Sequence, residues 1–258
     1  MFFGQCHLSI VPVRAEHADE SEIVTQLLFG EVFVILQEYQ QWRKIKTAHD
    51  DYEGWIDQKQ MIKIDEENFN HLLEHNNAFS FACSEEVFSE TRHLNIVKGS
   101  TLPNYNPASN SFKLGNETYK LESLPILQQN YDPERLVEIA LSYLETPYLW
   151  GGRSPFGIDC SGFTQMVFKF FGIQLPRDAS QQVTKGKKVD PLYIKQGDLA
   201  FFVNKNGKIH HVGLMISDSE IIHAAGKVRI DTLDEEGIYN EYLGRHSHKL
   251  HSLKRFAS

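Results

Sequence analysis

A single helical stripe, and what flanks it, narrows the folds open to this chain. Phe163, Met166, Val167, Phe170 and Phe171 fall at i, i+3, i+4, i+7 and i+8, the spacing that lines one face of an α-helix. Gly172 follows as a natural stop. The helix begins near Cys160, because Gly151-Gly152-Arg153-Ser154-Pro155-Phe156-Gly157-Ile158-Asp159 is too rich in turn formers to be helical. An earlier helix starts at Asp132-Pro133-Glu134, with an N-cap, a proline at the first position and an early carboxylate. It is expected to run to about Glu145 and to stop before Thr146-Pro147. Past Gln196-Gly197-Asp198 the pattern turns to strands over 199–203, 208–216 and 220–225. Helices followed by strands make residues 129–258 an α+β domain.

The first half reads as β. Residues 32–36 form the densest apolar run, Val-Phe-Val-Ile-Leu, with the length of a buried strand. Trp42-Arg43-Lys44-Ile45-Lys46 alternates, and Gly54-Trp55-Ile56 follows a turn at Asp50-Asp51-Tyr52-Glu53. Short strands broken by such turns predict a small barrel over 1–64. Within 65–128, Asn68 to His75 is a short helix or an excursion, Leu94-Asn95-Ile96-Val97 a strand, and Gly115-Asn116 the turn of a hairpin. A second, divergent module of the same kind is expected there.

Composition excludes several classes. The chain has 258 residues, 41% hydrophobic and 23% charged, so neither a collagenous nor a largely disordered chain fits. Its net charge of −8 lacks the footprint of a nucleic-acid binder. No apolar run approaches the roughly 18 to 20 residues that span a bilayer, so no membrane association is expected. The first basic residue is Arg14, and Gly4, Gln5 and His7 interrupt the early apolar residues. That is unlike a secretory leader and predicts a cytoplasmic protein. The cysteines, Cys6, Cys83 and Cys160, are too few and too scattered for a disulfide framework. Cys6 and Cys83 are expected to be buried structural thiols.

Cys160 stands apart. At a helix start, unpaired N–H groups and the positive end of the helix dipole favour a thiolate, which should lower its pKa from about 8.5. A thiol nucleophile needs a base, usually imidazole. His210 and His211 sit on one expected strand and must face opposite ways, so only one can meet the sulfur. His223 lies on the next strand, close enough to orient that ring.

The motifs Leu149-Trp150-Gly151-Gly152, Asp159-Cys160-Ser161-Gly162-Phe163, Pro176-Arg177-Asp178, Gln196-Gly197-Asp198-Leu199, His211-Val212-Gly213 and Ile222-His223-Ala224 occur in that order. This half of the chain resembles the NlpC/P60 family of papain-like cysteine peptidases. Leu28-Phe29-Gly30-Glu31, Trp42 and Gly54-Trp55-Ile56 resemble a bacterial SH3 domain. Together they imply a papain-like α+β catalytic domain preceded by one or two SH3-like β-barrels, an architecture similar to γ-D-glutamyl-L-diamino acid endopeptidases.

The resemblance implies Cys160 as nucleophile, His211 rather than His210 as base, and His223 as the third, orienting residue. It also implies a substrate pocket for L-Ala-γ-D-Glu, closed by the first module. Asp178 takes the role of meeting the free amine and Ser161 that of meeting the D-Glu carboxylate, with Trp150 as a wall. Tyr52 matches a tyrosine that reaches the site, and Glu16, with Glu22 as competitor, is a second acid at the amine. Asp159 and Arg177, which flank these positions in the motifs, join the expected substrate-binding set. Ala179 departs from relatives that carry serine after Arg-Asp. The expected activity is hydrolysis of the γ-D-glutamyl-L-diamino acid bond of murein peptides during recycling, without a cofactor or metal. A peptide-binding protein and an amidase or acyltransferase of other specificity are the alternatives. His246, His248 and His251 lack partners at ligand spacing and read as a terminal strand. Gly151-Gly152 lacks the Gly-Lys-Ser/Thr of a phosphate loop, and Lys185-Gly186-Lys187-Lys188 reads as a solvated loop.

Overall fold

Strand-forming patches separated by polar turns do become β structure in the first half, and the computed structural model describes residues 2–75 and 78–257. The chain divides into two compact units, Met1–Gln128 with Arg153–Pro155, and Gln129–Gly152 with Phe156–Ser258.

In the first unit a seven-stranded sheet runs in the order Ile23–Leu28, Ile10–Arg14, Glu53–Asp57, Trp42–Thr47, Val32–Tyr39, Phe2–Cys6, Met61–Ile64. Alternate residues Val11, Val13, Phe33, Ile35 and Ile45 turn inward as its core. This is the SH3-like module. The strand Val32–Tyr39 is longer than expected and Leu36 is exposed, because a bulge between Ile35 and Gln37 turns it out of the core. Helix α1, Glu66–His75, buries Phe69 and Leu72. A four-stranded sheet follows, ordered His93–Val97, Ser84–Phe88, Glu117–Lys120, Ser111–Leu114. Its last hairpin turns at Gly115-Asn116 and packs Phe112 on Tyr119 with ring centroids 5.2 Å apart. Residues 65–128 thus hold their own sheet inside the same compact unit as 1–64.

In the second unit α2, Pro133–Leu141, begins as the sequence dictates, with Asp132 accepting from the Glu134 N–H. It ends four residues short of Glu145. There the Glu145 N–H bonds to the Val228 carbonyl and the Val228 N–H to the Thr146 carbonyl, so a strand claims the backbone groups that a longer helix would need. Helix α3 spans Cys160–Lys169, and Cys160 through Phe168 are buried on every face, more than the apolar stripe alone predicted. Its polar members are satisfied internally: the Thr164 hydroxyl donates to Gln182 Oε1, and Gln165 Nε2 to the Leu175 carbonyl. Helix α4 is short, Ala179–Gln182.

The expected strands form as Leu199–Val203, Ile209–Met215 and Glu220–Ala225, joined by Lys227–Leu233, Gly237–Asn240 and Arg245–Arg255. Pairing of the last two closes these six strands into a ring. Ala200, Phe202, Met215, Ile221 and Ile238 fill one cluster of its core. The terminal strand carries His246, His248 and His251. Lys187 and Lys188 are exposed but lie in a short strand, Lys187–Val189, paired with Arg255 and Lys254 rather than in a loop. Among the described residues no helix is long and apolar enough to cross a membrane.

Candidate active site

The loop before α3 is shaped by backbone contact. A Cβ on Gly152 would lie 2.4 Å from the Gly157 carbonyl oxygen, so only glycine fits. The loop then delivers Asp159 as N-cap of α3. One carboxylate oxygen accepts from the Gly162 N–H at 2.7 Å and the other from the Gly151 N–H at 2.9 Å. Arg177 grips both oxygens, at 2.9 and 2.5 Å, and also donates to the Ser161 hydroxyl at 3.0 Å. All three side chains are buried. Asp159, Ser161 and Arg177, expected to touch substrate, are thus bonded to one another and to the loop that presents Cys160.

Cys160 opens α3 and is 6% exposed. Its sulfur takes hydrogen bonds from the backbone N–H groups of Val212 and Ser161, which places it against the strand that carries His211. The expected lowering of its pKa is not what the site gives. Burial pushes the thiol up to about 12, the Asp159 charge adds to this, and the N–H groups and Arg177 only partly offset it. At rest the group is a neutral thiol.

Strand alternation separates the paired histidines: His211 is buried and His210 exposed. His211 Nε2 lies 2.8 Å from His223 Nδ1, on the antiparallel neighbour strand. Gly213 permits this approach, since a Cβ there would lie 2.6 Å from the Ile221 side chain and 2.9 Å from the His223 Cβ. Burial, then the neighbouring His223, His248 and His210, hold His211 well below its ordinary pKa, so it is a neutral imidazole.

Two further side chains join the site without having been anticipated. His223 Nε2 lies 3.0 Å from Asp231 Oδ2, and Arg229 donates to Asp231 Oδ1 at 2.6 Å. The signal was a hairpin turn at Gly226, which pairs His223 with Arg229 and leaves Asp231 two residues along on the same face. His248, from the terminal strand, stacks on His211 with centroids 4.2 Å apart and planes at 28°. Burial pushes its pKa down to about 4. It stood in a histidine cluster read only as strand, and nothing local marks it.

Tyr148 is also close. Burial, and then the charges that Cys160 and Asp159 carry when ionised, raise its hydroxyl to about 12, so it is a neutral phenol within electrostatic reach of Cys160. Trp150 is 59% exposed on the turn before the loop. Asp178 is half-buried and caps α4, closing a capping box with Gln181. On the first unit, the Tyr52 N–H bonds to the Thr47 hydroxyl at 2.9 Å and to Asp50 Oδ1 at 3.3 Å. Glu16 is exposed, its N–H bonded to the Ser21 hydroxyl at 2.9 Å. All three cysteines are free thiols, and Cys83 is exposed where a buried one was expected. It sits in a bend after Phe81-Ala82, just before the strand Ser84–Phe88.

A helix-borne thiol set against a β-ring bearing two linked imidazoles is the layout of a papain-like cysteine peptidase. The model of the NlpC/P60 family matches residues 145–247, and that of the bacterial dipeptidyl-peptidase SH3 domain matches 13–61. The chain is 33% identical over 243 residues to a γ-D-glutamyl-L-lysine dipeptidyl-peptidase of Bacillus subtilis, covering 87% of this chain and 80% of that protein. It is 28% identical over 250 residues to dipeptidyl-peptidase 6 of Lysinibacillus sphaericus, covering 86% and 88%. The crystal structure of an NlpC/P60 family protein from Bacillus cereus superposes with a TM-score of 0.82 at 20% identity, over 99% of this chain and all of that one. The chain belongs to the NlpC/P60 family. It is a cysteine peptidase with an SH3-like domain at its N-terminal end.

Proposed function

We propose that this peptidase hydrolyses the γ-D-glutamyl-L-diamino acid bond of murein peptides that carry a free N-terminal L-Ala, in cytoplasmic recycling of cell-wall peptides. The observation that carries the reading is the line from the Cys160 sulfur at Val212, through neighbouring His211, to His223. Cys160 is the nucleophile and His211 the base. Because both are neutral at rest, the proton leaves sulfur for His211 as the sulfur attacks the γ-carbonyl, rather than beforehand. The oxyanion formed is met by the Cys160 N–H at the start of α3 and by the Tyr148 hydroxyl. His211, now protonated, gives its proton to the departing amine of the diamino acid. Water then attacks the thioester, passes a proton through His211, and releases L-Ala-D-Glu and the thiol. Asp178 and Trp150 bind the dipeptide, Asp159, Ser161 and Arg177 shape its floor, and Tyr52 and Glu16 keep the roles that the family resemblance implies. The named activity of the Bacillus subtilis relative, a γ-D-glutamyl-L-lysine dipeptidyl-peptidase, supports the bond chosen.

Incubation with L-Ala-γ-D-Glu-diaminopimelate peptide, followed by mass spectrometry, tests this. Release of the dipeptide is expected, with loss of at least about a thousandfold in Cys160→Ala and with N-acetylation of the substrate abolishing cleavage. Intact peptide, or cleavage retained in Cys160→Ala, contradicts the reading.

A further inference from the structure

We propose that Asp231, gripped by Arg229, is a positioning residue that sets the tautomers of both His223 and His211 and so leaves His211 Nδ1 bare to receive the Cys160 proton. The inference deepens the function proposed above and rests on it for the effect on rate alone.

Burial opposes the charge on Asp231, yet the hydrogen bonds from His223 and Arg229, with the Arg229 charge, hold its pKa below the ordinary value. An ionised carboxylate only accepts, so His223 Nε2 must carry the hydrogen that spans the 3.0 Å to Oδ2. With His223 taken as a neutral imidazole, its other nitrogen is then a bare acceptor. His223 Nδ1 must therefore accept across 2.8 Å, and His211 Nε2 must donate. His211 is neutral, which leaves its Nδ1 without a hydrogen. One carboxylate thus writes the protonation pattern of two rings, the second of them two hydrogen bonds away. Once His211 takes the thiol proton, the same carboxylate stabilises the resulting cation through His223.

Arg229 makes the device directional. It holds Asp231 Oδ1 at 2.6 Å while His223 takes Oδ2. In Asp231→Asn the guanidinium, which can only donate, would claim the amide oxygen. The amide NH₂ would then face His223 Nε2 and force the hydrogen onto its Nδ1. His223 would donate to His211 Nε2, and His211 would carry its hydrogen on Nδ1, where the thiol proton has to go. The variant is expected to be inverted rather than merely weakened. The groups set against the two rings are His210 beside His211, Asp231 and Arg229 from the strand Lys227–Leu233, and His248 from the terminal strand, while the Cys160 sulfur is bonded at Val212, next in sequence to His211. None but Asp231 brings a negative charge, so none can replace it.

Two measurements decide the matter. In the unmodified protein with ¹⁵N-labelled histidine, long-range ¹H–¹⁵N correlation near neutral pH is expected to show both His223 and His211 as Nε2–H tautomers; Nδ1–H on either ring overturns the inference. This readout needs neither substrate nor variant, so it stands even if the peptide proposed above is not cleaved. In turnover, Asp231→Asn is expected to lower kcat by about 10²-fold or more with KM changed by less than about threefold. Adding Arg229→Gln frees the amide to turn its oxygen to His223 and should restore about tenfold of that loss. A purely structural role would make the double variant worse than the single one, and that result, or an unchanged kcat in Asp231→Asn, overturns the inference.

Discussion

At the scale of the residue, the site holds His211 and His248 neutral where water would protonate them, and this has a cost in acid. His248 has an ordinary pKa of 6.5 and one of about 4 in the folded chain. Between those values the unfolded chain binds a proton that the folded chain refuses. Stability therefore falls as pH drops from about 6.5 and levels off below about 4, by on the order of 3 kcal/mol for this residue. His211 acts with the same sign. Asp231, whose folded pKa is also lowered, acts with the same sign, but its contribution is lost only as pH falls below the ordinary 3.8, outside that window. His248→Phe keeps a ring stacked on His211 and removes the titration. Urea unfolding should show a shallower loss of stability between pH 6.5 and 4 in this variant than in the parent. An unchanged slope contradicts the neutral, buried state assigned to His248.

At the scale of the element, α3 depends on a charge it cannot solvate. The Asp159 cap and its Arg177 partner are 6% and 1% exposed, and Arg177 also holds Ser161. Replacing both by apolar groups of similar volume would cost little, but removing one partner strands a buried charge. Arg177→Leu is expected to lose about 3–5 kcal/mol of stability, read by chemical unfolding. A loss below about 1 kcal/mol would mean that water reaches Asp159 and that the pair does not hold the loop. The start of α3 was legible for the same reason: Asp before an apolar stripe and after a glycine loop leaves few other conformations. The end of α2 was not, because hydrogen bonds between Glu145, Thr146 and Val228 settled it, and those partners are over eighty residues apart.

At the scale of the whole molecule, legibility followed the range of the interactions involved. The order of helices and strands in the second unit, the hairpin at Gly115-Asn116 and the alternation that separates His211 from His210 are local patterns, and the fold carries them. The ring closure is not local. Gly237–Asn240 and Arg245–Arg255 have burial patterns broken by charged and polar residues, and they pair because the preceding strands curl round to meet them. His248 and Asp231 enter the site through that closure and through the next hairpin, so neither stood out in one dimension. The lowered pKa expected of Cys160 failed for a related reason. A helix terminus was visible in the sequence, whereas the burial that outweighs it came from the packing around α3, which the Val212 and Ser161 N–H groups only partly offset.

The account stands on Cys160 as the reacting thiol, and the chain supplies its own control. Cys83 is exposed and Cys160 buried, its sulfur bonded at Val212, next in sequence to His211. Timed alkylation with iodoacetamide, with each cysteine mapped by peptide mass and activity followed in the same samples, separates them. The prediction is that Cys83 is modified without loss of activity and that peptide cleavage declines in step with modification of Cys160. Full activity in protein whose Cys160 carries the alkyl group would contradict it.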